Sequence, residues 1–165
     1  MTDNYFKLEE GFKEVYLKFK LHFYKKIFAK FEIREASLTA VEIFCAEVIH
    51  ALNTPTVNEF AQFVNISAQN ATHKINNLVR KGYVVKQQSP DDRREYRLSV
   101  TEDFFRYYNM SMSYVDEVVE RMGKRIPAAD LEAFQRVLTI ISNELTPEVT
   151  IAKVNNCQDQ RLKAV

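Results

Sequence analysis

The sequence predicts a mainly α-helical protein with one small β-hairpin. Only three glycines and four prolines interrupt its 165 residues, and apolar residues recur between them at the three- and four-residue steps of helices. Residues 89–101 read as a charged turn followed by an alternating strand, and a short helix-turn-helix pattern precedes them directly. Together these observations predict a winged helix-turn-helix flanked by long N- and C-terminal helices.

The first helix is predicted from about residue 4 to residue 32, and capping boxes then open the second and third helices. In residues 39–42 and 56–59, a Thr hydroxyl and a Glu carboxylate satisfy the free amides of a helix start. A Thr-Pro pair at 54–55 separates these two helices. The apolar stripe of the first helix comprises Leu8, Phe12, Val15, Phe19, Phe23, Ile27 and Phe31.

The fourth helix is predicted to begin at Ser67 and to stop at Gly82, because glycine readily adopts the left-handed conformation that ends a helix. Asn65 lies in the turn before it, and Asn tolerates the same conformation. The hairpin then pairs residues 83–88 with residues 96–100, in which apolar and polar side chains alternate.

Two further helices are predicted after the hairpin, the fifth opened by Thr101 and the sixth between Pro127 and Pro147. Their apolar stripes, like that of the first helix, are too long to be buried against one small module. We therefore expect residues 1–36 and 102–146 to form a helical dimerisation layer. Residues 37–101 would form the winged helix-turn-helix region, and residues 147–165 a C-terminal tail.

Composition indicates a cytoplasmic protein without a membrane segment. No apolar run approaches the roughly 18 to 20 residues that span a bilayer, and the N-terminus lacks a signal-peptide profile. The formal net charge is only +1, yet residues 54–100 contain seven Lys or Arg and four Asp or Glu. This local positive excess falls where phosphate neutralisation would require it.

The fourth helix carries a polar face that suits contacts with duplex DNA. Gln69, Asn70 and His73 are the predicted base readers, since Gln and Asn can pair bidentately with adenine. Ser67 and Thr72 are predicted to hold phosphates, helped by the positive end of the helix dipole. The predicted DNA-contacting set of this region comprises Ser67, Gln69, Asn70, Thr72, His73, Lys74 and Asn76.

The tip of the hairpin supplies a second predicted contact. Arg93 or Arg94 can enter a minor groove, where narrow A·T-rich DNA concentrates negative potential. Asp91 and Asp92 would repel phosphate if they faced it, so one of them is expected to cap the turn or to pair with an arginine.

Several motifs of this region occur together in one known family. They are Leu38-Thr39, Thr56-Val-Asn-Glu-Phe-Ala61, residues 66–78, Lys81-Gly82-Tyr83-Val84, Asp92-Arg93-Arg94 and Leu98-Ser-Val-Thr101. With them, residues 38–101 resemble the winged-helix core of the MarR (multiple-antibiotic-resistance regulator) family. After Thr101 the family commonly has Lys-Gly, whereas this chain has Glu102-Asp103-Phe104.

The resemblance implies a homodimeric transcriptional regulator, usually a repressor, that binds a pseudo-palindromic operator in double-stranded DNA. By position, Asp92 and Arg94 match the paired acid and minor-groove arginine of the family's wing, which makes Asp92 a wing-structuring residue. Residues 67–73 match the major-groove readers. The sequence contains no Gly-rich phosphate loop, Gly-x-Ser-x-Gly or His-Glu-x-x-His motif, so we expect neither an enzyme nor a cofactor.

Three alternatives stay open beside this prediction. A small-molecule effector could bind among the aromatic residues Phe12, Tyr16, Phe19, Phe44 and Tyr108, although aromatic stripes at helical spacing are more often plain core. Redox sensing through Cys45, or metal sensing through His22, Glu47 and His50, would refine a DNA-binding regulator. A winged helix can also serve as a protein-interaction module, since the fold alone does not fix function.

Overall fold

The computed structural model describes residues 3–31, 38–89 and 94–149, and it confirms the predicted fold class. Six α-helices and one hairpin are found in these ranges, and a five-residue π-helix, Ile141–Leu145, directly continues the last α-helix. The elements are α1 (Asp3–Phe31), α2 (Ala40–Ala51), α3 (Val57–Phe63), α4 (Ala68–Arg80), β1 (Val84–Gln88), β2 (Tyr96–Val100), α5 (Glu102–Arg125) and α6 (Ala128–Ile140).

The chain divides into two compact units. One comprises Met1–Ser37 with Tyr107–Gln135, and the other comprises Leu38–Arg106 with Arg136–Val165. The second unit holds the helix-turn-helix and the hairpin. Its core includes the fully buried side chains of Phe60, Phe104, Ile43, Ile49, Ile75, Leu78, Leu98 and Val84.

Both predicted capping boxes are present. At the start of α2, Thr39 N–H donates to Glu42 Oε2 at 2.7 Å, and Glu42 N–H donates to Thr39 Oγ1 at 3.3 Å. At the start of α3, Thr56 N–H donates to Glu59 Oε2 at 2.6 Å, and Glu59 N–H donates to Thr56 Oγ1 at 3.1 Å. Each box satisfies two amides that have no partner within the helix.

Left-handed residues bracket α4, as the sequence predicted. Asn65 has a φ of 53°, which lets the chain turn so that Ile66 N–H donates to Ala61 O at 3.0 Å. Gly82 has a φ of 81° after the last turn of α4, where Tyr83 N–H donates to Leu78 O at 3.0 Å. These two bends define where α4 begins and ends.

The hairpin is antiparallel, with Val84 opposite Val100 and Gln88 opposite Tyr96. Leu98 of β2 is fully buried, and its N–H donates to Pro55 O at 2.8 Å. A β-bridge also joins Thr56 to the residue before Leu98. The loop between α2 and α3 therefore fastens the wing to the helices.

Large apolar side chains remain exposed on the long helices. On α1, Leu8 is 67% exposed and Phe12 is 62% exposed, and on α6 Leu138 is 46% exposed. Among the described residues, no helix combines the length and the apolar character needed to cross a membrane.

Replacement of Thr56 by Ala should destabilise the protein, because it removes the hydroxyl that accepts the Glu59 amide. Loss of such a helix cap costs about 1 kcal/mol, and up to roughly 2 kcal/mol, of the free energy of unfolding. Urea denaturation should show a lower midpoint for Thr56→Ala. The control is Thr56→Ser, which keeps the hydroxyl; equal midpoints for Thr56→Ala and the wild type would contradict this role.

Glu47, on α2, is a half-buried carboxyl whose side chain makes no hydrogen bond or ion pair with other described residues. Burial raises its pKa from 4.5 to about 6. A carboxyl whose pKa is raised by folding makes its full contribution to stability at pH values below the pKa that it has in the unfolded chain. That stability is lost as the pH rises through the folded pKa.

We expect Glu47→Gln to remove this loss and to stabilise the protein at neutral pH. The gain should be at most about 2 kcal/mol, since one pKa unit corresponds to about 1.4 kcal/mol. Urea denaturation at about pH 4.5 and about pH 7.5 measures it, because the two values lie on either side of the titration. The exposed Glu132→Gln serves as control, and an equal gain for Glu47→Gln at both pH values would contradict the assignment.

Candidate nucleic-acid interface

The two faces of α4 differ sharply in chemistry. Ala71, Ile75 and Leu78 are fully buried and pack this helix into the second unit. Most of the other α4 side chains are accessible to solvent. Gln69, Asn70, His73 and Asn76 are exposed, and Thr72, Lys74 and Asn77 are half-buried. The structure thus brings the predicted base readers together on one helix face.

The hydroxyl groups at the start of α4 are engaged in different ways. Ser67 is the N-cap, and its Oγ accepts the N–H of Asn70 at 3.2 Å. This bond uses a lone pair and leaves the hydroxyl proton of Ser67 available for a donor contact. Thr72 Oγ1 donates to Ala68 O at 2.8 Å, so a phosphate contact would require Thr72 to give up that bond.

Two amides in the second half of α4 are held by cationic side chains. Lys86 Nζ, on β1, donates to Asn76 Oδ1 at 2.6 Å. Arg80 NH2 donates to Asn77 Oδ1 at 3.1 Å, and Asn77 Nδ2 lies 3.5 Å from His73 Nε2. The contact of Lys86 with α4 has no signal in the sequence, because no periodicity links a strand residue to one helix position.

An ion pair connects the end of α4 to the start of α2. Lys81 Nζ lies 2.8 Å from Glu42 Oε2, and both side chains are largely buried. Burial alone raises the pKa of the Glu42 carboxyl, but hydrogen bonds from Lys81 and Thr39 outweigh it, so the pKa is lowered. The ionised carboxylate therefore serves both the helix cap and the pair with Lys81.

The hairpin, which forms the wing, carries Lys86 before its tip and Arg94 and Arg97 after it. Arg94 is exposed, whereas the predicted Asp92 and Arg93 lie outside the described residues. Arg97 NH1, on β2, donates to Thr54 O at 3.3 Å. Lys74, by contrast, is half-buried toward α2, where its charge acts on the Cys45 thiol.

The five aromatic candidates for an effector site lie on three helices. Phe12, Tyr16 and Phe19 belong to α1, Phe44 to α2 and Tyr108 to α5. Phe12, Tyr16 and Phe44 are exposed large apolar residues. Phe19 packs edge-on against Tyr114, with ring centroids 5.4 Å apart.

The candidate sensor residues Cys45 and His50 both lie on α2. Cys45 is buried, and burial raises the pKa of its thiol, which disfavours the reactive thiolate. His50 packs against Phe104 and Phe105, at centroid distances of 5.6 and 5.2 Å. Among the described residues, no three His, Cys, Asp or Glu side chains converge as a metal site would require.

The fold is similar to several solved structures at low sequence identity. FabT of Streptococcus pneumoniae in complex with DNA has 18% identity and a TM-score of 0.60 over 86% of this chain and 96% of that one. The transcriptional regulator Tm0710 of Thermotoga maritima has 16% identity and a TM-score of 0.64 over 84% and 96%. A MarR family protein from Bacillus stearothermophilus has 13% identity and a TM-score of 0.64 over 88% and 99%.

The sequence itself matches a family model in the same region. No curated protein matches the chain. The model of the MarR family matches residues 38–96, a segment that begins before α2 and ends in β2 and that includes all of α4. We conclude that residues 38–96 form a MarR-family domain, which confirms the family predicted from the sequence.

Proposed function

We propose that the protein binds double-stranded DNA in a sequence-dependent way and regulates transcription as a cytoplasmic homodimer. The observation that carries this proposal is the division of α4 into a buried apolar face and an exposed face of amide, imidazole and hydroxyl groups. A protein-binding face would instead expose apolar side chains. Amides and imidazoles match the donors and acceptors on base edges in the major groove.

Within this proposal, the first turns of α4 enter the major groove. Gln69 and Asn70 make no side-chain hydrogen bond to other described residues, so both ends of each amide are available to a base. His73 follows on the same face. Ser67 would donate its hydroxyl proton to a phosphate at the positive end of the helix dipole.

The wing would make the second contact with DNA. Arg94 is exposed beside the hairpin tip, where a guanidinium can enter a narrow minor groove. Arg93 is proposed to share this role, and Asp92 to fix the shape of the tip, as the family resemblance implies. Lys74, at the edge of α4, would add charge without reading bases.

A second copy of the chain would cover the exposed apolar stripes. We assign residues 1–36 and 102–146 to the dimerisation layer, because single soluble chains rarely expose apolar surface of this extent. The C2 symmetry of such a dimer would present two copies of α4 about one DNA turn apart, roughly 34 Å. This arrangement suits a pseudo-palindromic operator, and a bound dimer would repress by occupying it.

We further propose that a small-molecule effector could release the DNA by changing the separation of the two α4 helices. The aromatic candidates of α1, α2 and α5 provide apolar surface for such a ligand. Release requires that the ligand binds one separation better than the other, since only differential affinity shifts an equilibrium.

The direct test is selection from a randomised duplex pool by the full-length protein. We expect an inverted repeat to be enriched, because each half-site would meet one copy of α4. For six to ten phosphate contacts, affinity should fall by on the order of 10³-fold or more between about 50 mM and about 200 mM salt.

Two matched variants sharpen this selection. Gln69→Ala should change the selected bases, whereas Gln62→Ala, on α3, should leave them unchanged. Weak binding without enrichment of any sequence by the wild type would reject the proposed function and favour a protein-interaction role.

Leu138→Glu should dissociate the dimer, because it places a charge in an exposed apolar stripe of α6. Sedimentation equilibrium should show a shift from dimer to monomer. Arg136→Gln makes the same change in charge at an exposed position two residues earlier, which does not share a helix face with Leu138. A Leu138→Glu protein that remains dimeric would remove α6 from the interface.

A further inference from the structure

The face of the hairpin that is turned toward α4 includes Lys86 and Tyr96. Side chains alternate between the two faces of a strand, and residues opposite each other in a ladder share a face. Lys86 lies opposite Leu98, and Tyr96 is two residues before Leu98 on the same strand. Lys86 Nζ also lies 2.6 Å from Oδ1 of Asn76 on α4. Lys86, Leu98 and Tyr96 therefore share one face of the hairpin, and this face is the one beside α4.

Burial decreases along this face from the base of the hairpin toward its tip. Leu98 is fully buried, Lys86 is half-buried and Tyr96 is 46% exposed. The hydroxyl of Tyr96 makes no hydrogen bond to other residues that the structure describes. Tyr96 thus presents an aromatic ring and a hydroxyl group to solvent, on the same face as the core residue Leu98.

This face lies between the two parts of the protein that are proposed to enter DNA grooves. Lys86 contacts α4, and Arg94 is exposed beside the hairpin tip, two residues before Tyr96. A major groove and the minor groove next to it are separated by one sugar-phosphate backbone. If α4 enters the first groove and Arg94 the second, that backbone passes the surface that contains Lys86 and Tyr96.

The chemistry of both side chains suits phosphate oxygens. An ammonium group has three N–H donors, so the bond from Lys86 to Asn76 leaves two of them for a phosphate. A tyrosine hydroxyl can donate to a phosphate oxygen as well. Neither strand, Val84–Gln88 or Tyr96–Val100, contains an acidic residue that would repel the backbone.

The spacing of the two residues fits one DNA strand. Lys86 and Tyr96 are diagonal neighbours across the ladder, and such neighbours lie about 7–8 Å apart. Both side chains are long, so neighbouring phosphates of a single strand are within their reach.

We propose that Lys86 and Tyr96 bind neighbouring phosphates of one DNA strand, between the major groove that α4 reads and the minor groove that Arg94 enters. Lys86 would hold its phosphate with the same ammonium that contacts Asn76, and Tyr96 would donate its hydroxyl proton. The inference rests on the proposed function, namely that α4 and the wing bind double-stranded DNA. It adds two contacts that position the protein on the backbone without reading bases.

The two contacts differ in charge, and salt dependence separates them. Lys86→Met removes a cation from a phosphate, so the slope of log affinity against log salt should decrease by about one. Tyr96→Phe removes only a hydroxyl, so affinity should fall by about fivefold, for one lost hydrogen bond, while the slope stays the same.

The measurement uses the full-length protein with the duplex that it selects from the randomised pool and with a scrambled duplex of the same length. Tyr96→Phe should weaken binding to both duplexes by the same factor, because every sequence has the same backbone. Lys25→Met and Tyr5→Phe make the same chemical changes at exposed positions of α1, and both should bind like the wild type. An unchanged slope for Lys86→Met, or an unchanged affinity for Tyr96→Phe, would overturn the proposal.

A second measurement locates the contacts on the DNA. A methylphosphonate replaces one charged phosphate oxygen by a methyl group, and it is introduced at each backbone position of the selected duplex in turn. The wild type should lose affinity at two neighbouring positions of one strand. Lys86→Met should lose nothing further at one of them, and Tyr96→Phe nothing further at the other.

The outcomes distinguish this inference from the proposed function. If the wild type selects an inverted repeat but neither variant is coupled to a phosphate, DNA reading stands and the two backbone contacts are rejected. Coupling of the two variants to phosphates on different strands would also reject the arrangement. If the wild type enriches no sequence and its affinity does not depend on salt, the proposed function fails and this inference fails with it.

Discussion

The burial of Ala71, Ile75 and Leu78 is the constraint on which the polar face of α4 depends. With about 100° between successive residues, the choice of buried side decides which side chains remain outside. Rotation of α4 by one residue would bury the amide of Asn76 and expose Ile75. An unsatisfied buried polar group costs about 1–3 kcal/mol, so the apolar core holds the polar face in place.

The polar contacts around α4 orient side chains, whereas the apolar core stabilises the position of the helix. An exposed hydrogen bond such as that between Lys86 and Asn76 contributes little to the free energy of unfolding, since even exposed ion pairs contribute only about 0–1 kcal/mol. It nevertheless orients the Asn76 amide, because the oxygen Oδ1 faces Lys86 Nζ. The buried pair of Lys81 and Glu42 joins the end of α4 to α2, and the Pro55 carbonyl fastens the wing at Leu98. Core packing thus places the helix, and side-chain bonds determine what it presents.

The parts of this structure that depend on neighbours in sequence could be predicted from the sequence. The capping boxes at Thr39 and Thr56, the left-handed Asn65 and the glycine that ends α4 all follow from residue types at fixed spacing. The bond between Lys86 and Asn76 could not be predicted, because it joins a strand to a helix and depends on how the wing folds back. The π-helix after α6 carried no signal either, since its residues continue the apolar spacing of an α-helix.

The small size of the exposed α4 face is itself an argument for two copies. Four exposed side chains, Gln69, Asn70, His73 and Asn76, can contact only a few base pairs. Each good base contact discriminates by about 1–3 kcal/mol, so one copy would separate an operator only modestly from other DNA. A symmetric dimer doubles the number of contacts and adds a required spacing between them. In the proposed dimer that spacing is set by the apolar helices, so a ligand that binds those helices could control reading without touching α4.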